Sequence, residues 1–73
     1  MTGNPYEKLH RLEKAAKLAD VLHAGGILAA DLEQCRPSSE VWTAAAQQAG
    51  VKPPSVLTCA VVCEMLYKRE KIL

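Results

Sequence analysis

Apolar residues recur at helical spacing along four stretches of this chain, and glycine or proline separates the stretches. The first stretch runs from Pro5 to Ala24 and carries a stripe of residues three or four positions apart, as on one face of an α-helix. That stripe consists of Leu9, Leu12, Ala15, Ala16, Ala19 and Leu22. Asn4 is suited to cap this helix, and Gly25-Gly26 to end it, because glycine readily adopts the left-handed conformation of a C-cap.

A short second helix is predicted from Ile27 to Arg36, with Leu28, Leu32 and Cys35 on one face. Pro37 should end it, because proline disfavours helix at the residue before it.

The third helix should begin at Ser38 or Ser39 and end at Gly50, where Val51 can fold back onto Ala46 in a Schellman arrangement. Its apolar face consists of Trp42, Ala45, Ala46 and Ala49.

The last helix should begin at Ser55 and can extend nearly to Leu73. One apolar stripe on it, interpreted as the core face, consists of Val56, Cys59, Ala60, Cys63, Leu66 and Tyr67. A second stripe consists of Leu57, Val61, Met65 and, near the same line, Ile72. A helix that is apolar nearly all round is either central in its domain or covered by another chain.

These elements predict an all-α fold: a compact bundle of three to four helices with an α-turn-α corner at Gly50–Ser55. With 73 residues the chain is expected to be a single small helical domain, residues 1–73, in which residues 1–4 are flexible. Aromatic residues make up only 4% of the chain, so alanine and leucine must fill most of the core. Trp42 is expected to be its central plug.

The charge balance gives no strong field for nucleic acid or for an anionic membrane, since nine basic residues face eight acidic ones. The amino-terminal residues are polar and lack the apolar region of a signal peptide, and no apolar run is long enough to span a bilayer. A cytoplasmic protein without membrane contact is therefore expected.

The three cysteines, Cys35, Cys59 and Cys63, are interpreted as reduced, buried thiols, because an odd count fits a disulfide framework poorly. Together with His10 and His23 they include residue types that bind zinc, and Cys59 and Cys63, four apart, could supply two ligands. However, the chain has no CxxC or HxxxH pair, and the other candidates lie on different segments. No metal site and no cofactor are predicted.

No catalytic site is predicted either. His23 and Asp20 lie one helical turn apart, but His23 falls on the apolar side near the end of its helix. Nucleophilic catalysis needs a nucleophile, a base and an orienting group together, and no phosphate-binding glycine loop is present. We expect a non-enzymatic protein with no evident small-molecule substrate.

The segment Ala46–Val61 resembles a helix-turn-helix. The residues that carry the resemblance are Ala46, Gly50, Val51, Val56 and Cys59. It implies DNA recognition by the exposed side of the second helix. The candidate DNA contacts are Lys52, Ser55, Thr58, Lys68 and Arg69, with Glu64 and Glu70 among them. The positions that would face bases offer no Arg, Asn or Gln for bidentate contacts.

The favoured interpretation is a small non-catalytic protein of the regulator, adaptor or inhibitor type that binds another protein or itself, with homodimerisation possible. Its predicted interface is the second stripe of the last helix, Leu57, Val61, Met65 and Ile72, because a contiguous apolar strip is unusual on a monomer. One alternative is that the second helix covers this strip through Leu28 and Leu32. The other is the small helix-turn-helix DNA-binding protein.

Overall fold

The computed structural model describes residues 5–72, which form helices and no strand. The helices are α1 (Pro5–Ala24), α2 (Ala29–Leu32), α3 (Glu40–Ala49) and α4 (Val56–Lys71). α1 packs most extensively against α4 and also contacts α3, whereas α2 packs against α4. The predicted all-α bundle is confirmed. The expectations for residues 1–4, including Asn4 as a cap, and for Leu73 lie outside the described residues.

The glycine-based helix ends form as predicted. Gly50 adopts the left-handed conformation with φ 72°, and the Val51 amide donates a hydrogen bond of 3.0 Å to the Ala46 carbonyl. The Ile27 amide makes the equivalent bond to the Leu22 carbonyl after α1, also at 3.0 Å. Both bonds satisfy carbonyl groups that the end of a helix would otherwise leave unpaired.

The predicted corner leads into α4 through a side-chain cap. Ser55 is extended, and its Oγ accepts a hydrogen bond of 3.3 Å from the Thr58 backbone amide. The two hydroxyl groups of Ser55 and Thr58 are also 3.1 Å apart and share a hydrogen bond. Thr58 is buried and Ser55 is exposed, so this capping network lies at the edge of the folded interior.

The prediction for the second helix was too long. Ile27 is taken up by the turn after α1, and Leu28 is extended, with φ −90° and ψ 145°. Beyond Leu32 the chain continues in a tighter turn, in which the Cys35 amide bonds to the Leu32 carbonyl three residues back. Only one helical turn remains between the glycine cap and Pro37, and it packs against α4.

Two long-range polar contacts attach the carboxyl end of α4 to the rest of the bundle. The Ala29 amide at the start of α2 donates a hydrogen bond of 2.8 Å to Glu70 Oε2. Arg69 Nη2 lies 2.9 Å from Asp20 Oδ1 of α1. Glu70 thus caps a short helix whose own preceding residue, Leu28, has no side-chain acceptor.

One hydrophobic core joins the helices. Its buried members are Ala15, Leu18, Ala19, Leu22, Ala29, Leu32, Trp42, Ala45, Ala46, Cys59, Val62, Cys63 and Leu66. Trp42 is completely inaccessible to solvent and is the largest of these side chains, as expected of the predicted core plug.

The buried face of α1 differs from the predicted stripe at its amino-terminal half. Leu9 and Leu12 are exposed by 54% and 39%, whereas Leu18, which the stripe omitted, is completely buried. Residues 6–10 are all exposed, so the first turns of α1 extend beyond the helices that cover its later part. The spacing of the two leucines fits a core stripe, but they lie outside the core because the other helices do not cover this part of α1.

The buried face of α4 lies between the two stripes seen in the sequence. Val56 and Ala60, predicted as core, are exposed, while Val62, which belonged to neither stripe, is completely buried. The inward-facing residues are Thr58, Cys59, Val62, Cys63 and Leu66. The helix is therefore rotated relative to the expectation, and part of the predicted core stripe faces outward.

Candidate binding surface

An open, mostly apolar cleft of about 430 Å³ lies between α4 and the segment that contains α2; we call it the α2–α4 cleft. It is lined by Leu32, Glu33, Cys35, Pro37, Trp42, Val56, Cys59, Ala60, Cys63, Glu64 and Tyr67. Clefts of this size and composition are typical of sites that receive apolar groups of a ligand or a partner.

The cleft lies beside the short helix α2. That helix ends at Leu32, where the chain turns and does not continue as a helix to Arg36. Val56, at the start of α4, is left 73% exposed, and Ala60 one turn later is also exposed. Val56 and Ala60, which were predicted to be core residues, thus form a wall of the cleft.

The charged residues that line the cleft are both acidic: Glu33 on the α2 side and Glu64 on α4. The adjacent Glu33 carboxylate, a hydrogen-bond acceptor for the phenol, raises the pKa of Tyr67, with burial and the further charges of Glu33, Glu70 and Cys63 as additional causes. Glu64 is highly exposed and forms a long ion pair of 3.9 Å with Lys68, which contributes little to stability.

Trp42 also lines the cleft, and its indole N–H is buried without a hydrogen-bond acceptor. A buried polar group that lacks a partner costs about 1–3 kcal/mol. The tryptophan ring therefore contributes apolar packing, and the bundle itself supplies no acceptor for its N–H.

All three thiols converge on this cleft, which the sequence did not predict because Cys35 is far from the other two along the chain. Burial, followed by the neighbouring Cys63, raises the pKa of Cys59 to about 11. Burial also raises the pKa of Cys63, with Glu33 and Cys35 as further causes. Within residues 5–72 the cysteines are free, and no group of three or more His, Cys, Asp or Glu side chains could hold a metal ion.

The thiols should react slowly in the native protein. At pH 8, iodoacetamide is expected to modify the half-buried Cys35 first and Cys59 last, because the thiolate is the reactive form and Cys59 ionises only near pH 11. Peptide mass spectrometry after timed quenching gives the order. In denaturant all three should react alike, and rapid native modification of Cys59 would contradict its burial.

The raised pKa of Cys59 also affects the stability of the folded protein. The native Cys59 thiol keeps its proton to higher pH than the unfolded chain does, so stability should fall as the pH rises from 9.0 toward about 11.

The residues of the predicted protein interface differ in accessibility. Leu57 is 54% exposed and Ile72 is 82% exposed. Val61 and Met65 are only partly exposed and pack against the core. Leu28, which the alternative interpretation placed over this strip, is itself exposed, whereas Leu32 lines the cleft on the other side of α4. Of the exposed residues in this strip, Leu57 therefore lies nearest to Val56 in the wall of the cleft.

The candidate DNA contacts do not form one surface. Thr58 is buried, and Ser55 is occupied in capping α4. Lys68 and Arg69 pair with acidic residues at the opposite end of α4. Lys52 is exposed and lies instead beside Lys14 and Lys17 of α1, around a depression next to the Gly50 turn that also includes Glu13.

Asp20, one of the two residues considered for catalysis, forms an ion pair with Arg69 of α4. In the described part of the chain, no helix has the length and apolar character needed to cross a membrane.

Comparison of the chain with models of known protein families, with curated proteins and with solved structures gave no match.

Proposed function

We propose that this chain is a small non-catalytic protein that acts by binding another protein or a second copy of itself through the outward face of α4. The observation that carries the proposal is the open α2–α4 cleft with the adjacent exposed side chains of Val56 and Leu57. Contiguous exposed apolar surface of this kind is typical of interaction sites. Regulators, adaptors and inhibitors act in this way, without chemistry of their own.

The cleft enlarges the interface predicted from sequence. Leu57 and Ile72 remain candidate contacts because they are exposed, while Val61 and Met65 would contribute only their accessible edges. Free thiols fit a cytoplasmic site of action, where reducing conditions preserve them.

Affinity capture with four baits tests the proposal. The wild-type protein, Leu57→Glu, Ala60→Arg and the control Ala44→Glu are immobilised, and proteins retained from a cell extract are identified by mass spectrometry. Ala44 is an exposed residue of α3 outside the cleft lining, so its substitution adds the same charge as Leu57→Glu at a position away from the cleft. A protein kept by the wild type and the control but lost from the other two supports the proposal. Identical retention by all four baits, with no self-association, would contradict it.

DNA binding is the second candidate, and the grouping of Lys14, Lys17 and Lys52 beside the turn favours it. These lysines could contact phosphates, although the start of α4 presents Val56 and Leu57 where base-reading side chains would be needed. Fluorescence anisotropy with a duplex at low and moderate salt tests this function. A DNA-binding protein must lose affinity steeply with salt, and Lys52→Glu should abolish binding.

A further inference from the structure

Cysteines from two distant parts of the chain line the α2–α4 cleft from opposite sides. Cys35 lies in the turn after α2, where its thiol donates a weak hydrogen bond of 3.4 Å to the Asp31 carbonyl. We call residues 33–36 the cleft segment. Cys59 and Cys63 are on the buried side of α4. The fold thus brings the thiol of a turn next to the thiols of a helix.

The two cysteines of α4 are poorly placed to pair with each other. Residues four apart on a regular helix have Cβ atoms about 5–6 Å apart. A disulfide requires about 3.5–4.5 Å between these atoms. Joining Cys59 to Cys63 would therefore distort α4, whereas Cys35 belongs to a turn that can shift toward the helix. An internal disulfide that preserves the native fold must include Cys35.

The surroundings of Cys63 make it the partner of Cys35. Glu33 and Cys35 of the cleft segment both lie near enough to Cys63 to contribute, after burial, to its raised pKa. Glu33 is also adjacent to Tyr67, which follows Cys63 by one helical turn. The cleft segment therefore runs along the side of α4 that carries Cys63 and Tyr67.

Cys59 is influenced by a different part of the bundle. Besides burial, the groups that shift its pKa are Cys63 and Lys14 of α1. Helix α1 packs against the inward face of α4, away from the cleft segment. Of the two helix cysteines, Cys63 is therefore the one that meets Cys35.

We propose that Cys35 and Cys63 form a reversible disulfide that closes the α2–α4 cleft when the protein meets a low-molecular-weight disulfide such as oxidised glutathione. The bond itself follows from the placement of the thiols. Its effect on a partner rests on the proposed function, since the bond draws the cleft segment over the surface proposed to bind.

The bond forms by two successive thiol–disulfide exchanges. The accessible Cys35 thiolate attacks one sulfur of oxidised glutathione, forms a mixed disulfide and expels one glutathione thiolate, which takes up a proton. The Cys63 thiol then loses its proton and attacks the Cys35 sulfur, which expels the second glutathione. The two protein thiols lose two electrons, and one oxidised glutathione becomes two reduced molecules.

Disulfide mapping in a glutathione redox buffer tests the bond. The native chain is equilibrated with oxidised and reduced glutathione, quenched with acid, alkylated and cut with a glutamate-specific protease. Cleavage after Glu33, Glu40 and Glu64 places Cys35 on one peptide and both helix cysteines on another. The two peptides should remain joined, and fragmentation of the joined pair should place the bond at Cys63.

Two variants and an unfolded control make the assignment specific. Cys59→Ala should form the joined peptides as the wild type does. Cys63→Ala should instead retain glutathione on Cys35, because the second exchange has no attacking thiol. In denaturant the pair Cys59–Cys63 should predominate, since short loops close at the lowest entropic cost. The fragmentation result for the wild type decides the assignment even if a variant does not fold.

Two measurements on the oxidised protein test closure of the cleft. Its urea midpoint should lie above that of the reduced protein, because a cross-link that fits the native fold restricts the unfolded chain. A protein retained by the reduced wild-type bait should be lost from the oxidised bait. Cys35→Ser cannot form the bond, so this bait should retain that protein after the same oxidation.

Three results would overturn the proposal: glutathione adducts as the main native product, a bond at Cys59, or an oxidised protein that unfolds at a lower urea concentration than the reduced one. An oxidised bait that keeps its partner refutes closure of the cleft. If capture does not depend on Leu57 or Ala60, the proposed function fails, whereas the mapped disulfide is unaffected by that result.

Discussion

Replacing Trp42 with alanine is expected to unfold the domain. The side chain is completely buried, and truncating a buried tryptophan costs about 3–5 kcal/mol. A single-core domain of this length has a total stability of about the same size. Urea denaturation followed by circular dichroism should find little folded protein even without denaturant.

Trp42→Phe is the matched control. The indole N–H has no acceptor, so phenylalanine breaks no hydrogen bond and only reduces the packed volume. This variant should fold with a lower melting temperature. A Trp42→Ala protein with a melting temperature within a few degrees of the wild type would contradict the central position of the ring.

Leu18→Ala should be strongly destabilising, whereas Leu12→Ala should not. Both are leucines of α1, but Leu18 is completely buried and Leu12 is partly exposed. Removing a fully buried leucine side chain costs about 2–5 kcal/mol, while substitutions at the surface usually stay within about 0.5 kcal/mol. Urea titration of both variants gives the two free energies of unfolding. Equal losses would mean that the amino-terminal turns of α1 are covered as well as the centre of the helix.

The thiol and cleft predictions depend on one another, because the cysteines line the surface proposed to bind. Cys35 is the most accessible of the three, and its thiol donates a weak hydrogen bond of 3.4 Å to the Asp31 carbonyl. Alkylation of Cys35 places a new group at the edge of the cleft. Occupation of the cleft by a binding partner should therefore protect Cys35 from the reagent, and this protection should disappear in Ala60→Arg.

The helix boundaries were determined by local signals in the sequence. The prediction that α1 spans Pro5–Ala24 is confirmed, and so are the left-handed Gly50 after α3 and the start of α4 after Ser55. These features depend on residues within a few positions of each other: a glycine that accepts positive φ, or a hydroxyl that reaches an amide one turn away. Such interactions are short in range, so a pattern in the sequence predicts them well.

The face of each helix that became core was decided only by the tertiary structure. Both stripes on α4 satisfy helical spacing, and the position of α1 selects a face between them that includes Val62 and Leu66. Spacing alone could not show that Leu9 and Leu12 lie beyond the partner helices, because that depends on where α4 and α3 lie alongside α1.

The cleft could not be predicted from the sequence either. It depends on how early the chain turns after Leu32 and on Glu70, which caps α2 across the bundle. It also brings Cys35 next to the cysteines of α4. The sequence by itself determined that this chain forms helices, where most of them end and that α4 carries more apolar surface than a small core can bury. Which part of that surface stays open was decided by packing between distant segments, because burial depends on neighbours that local spacing does not specify.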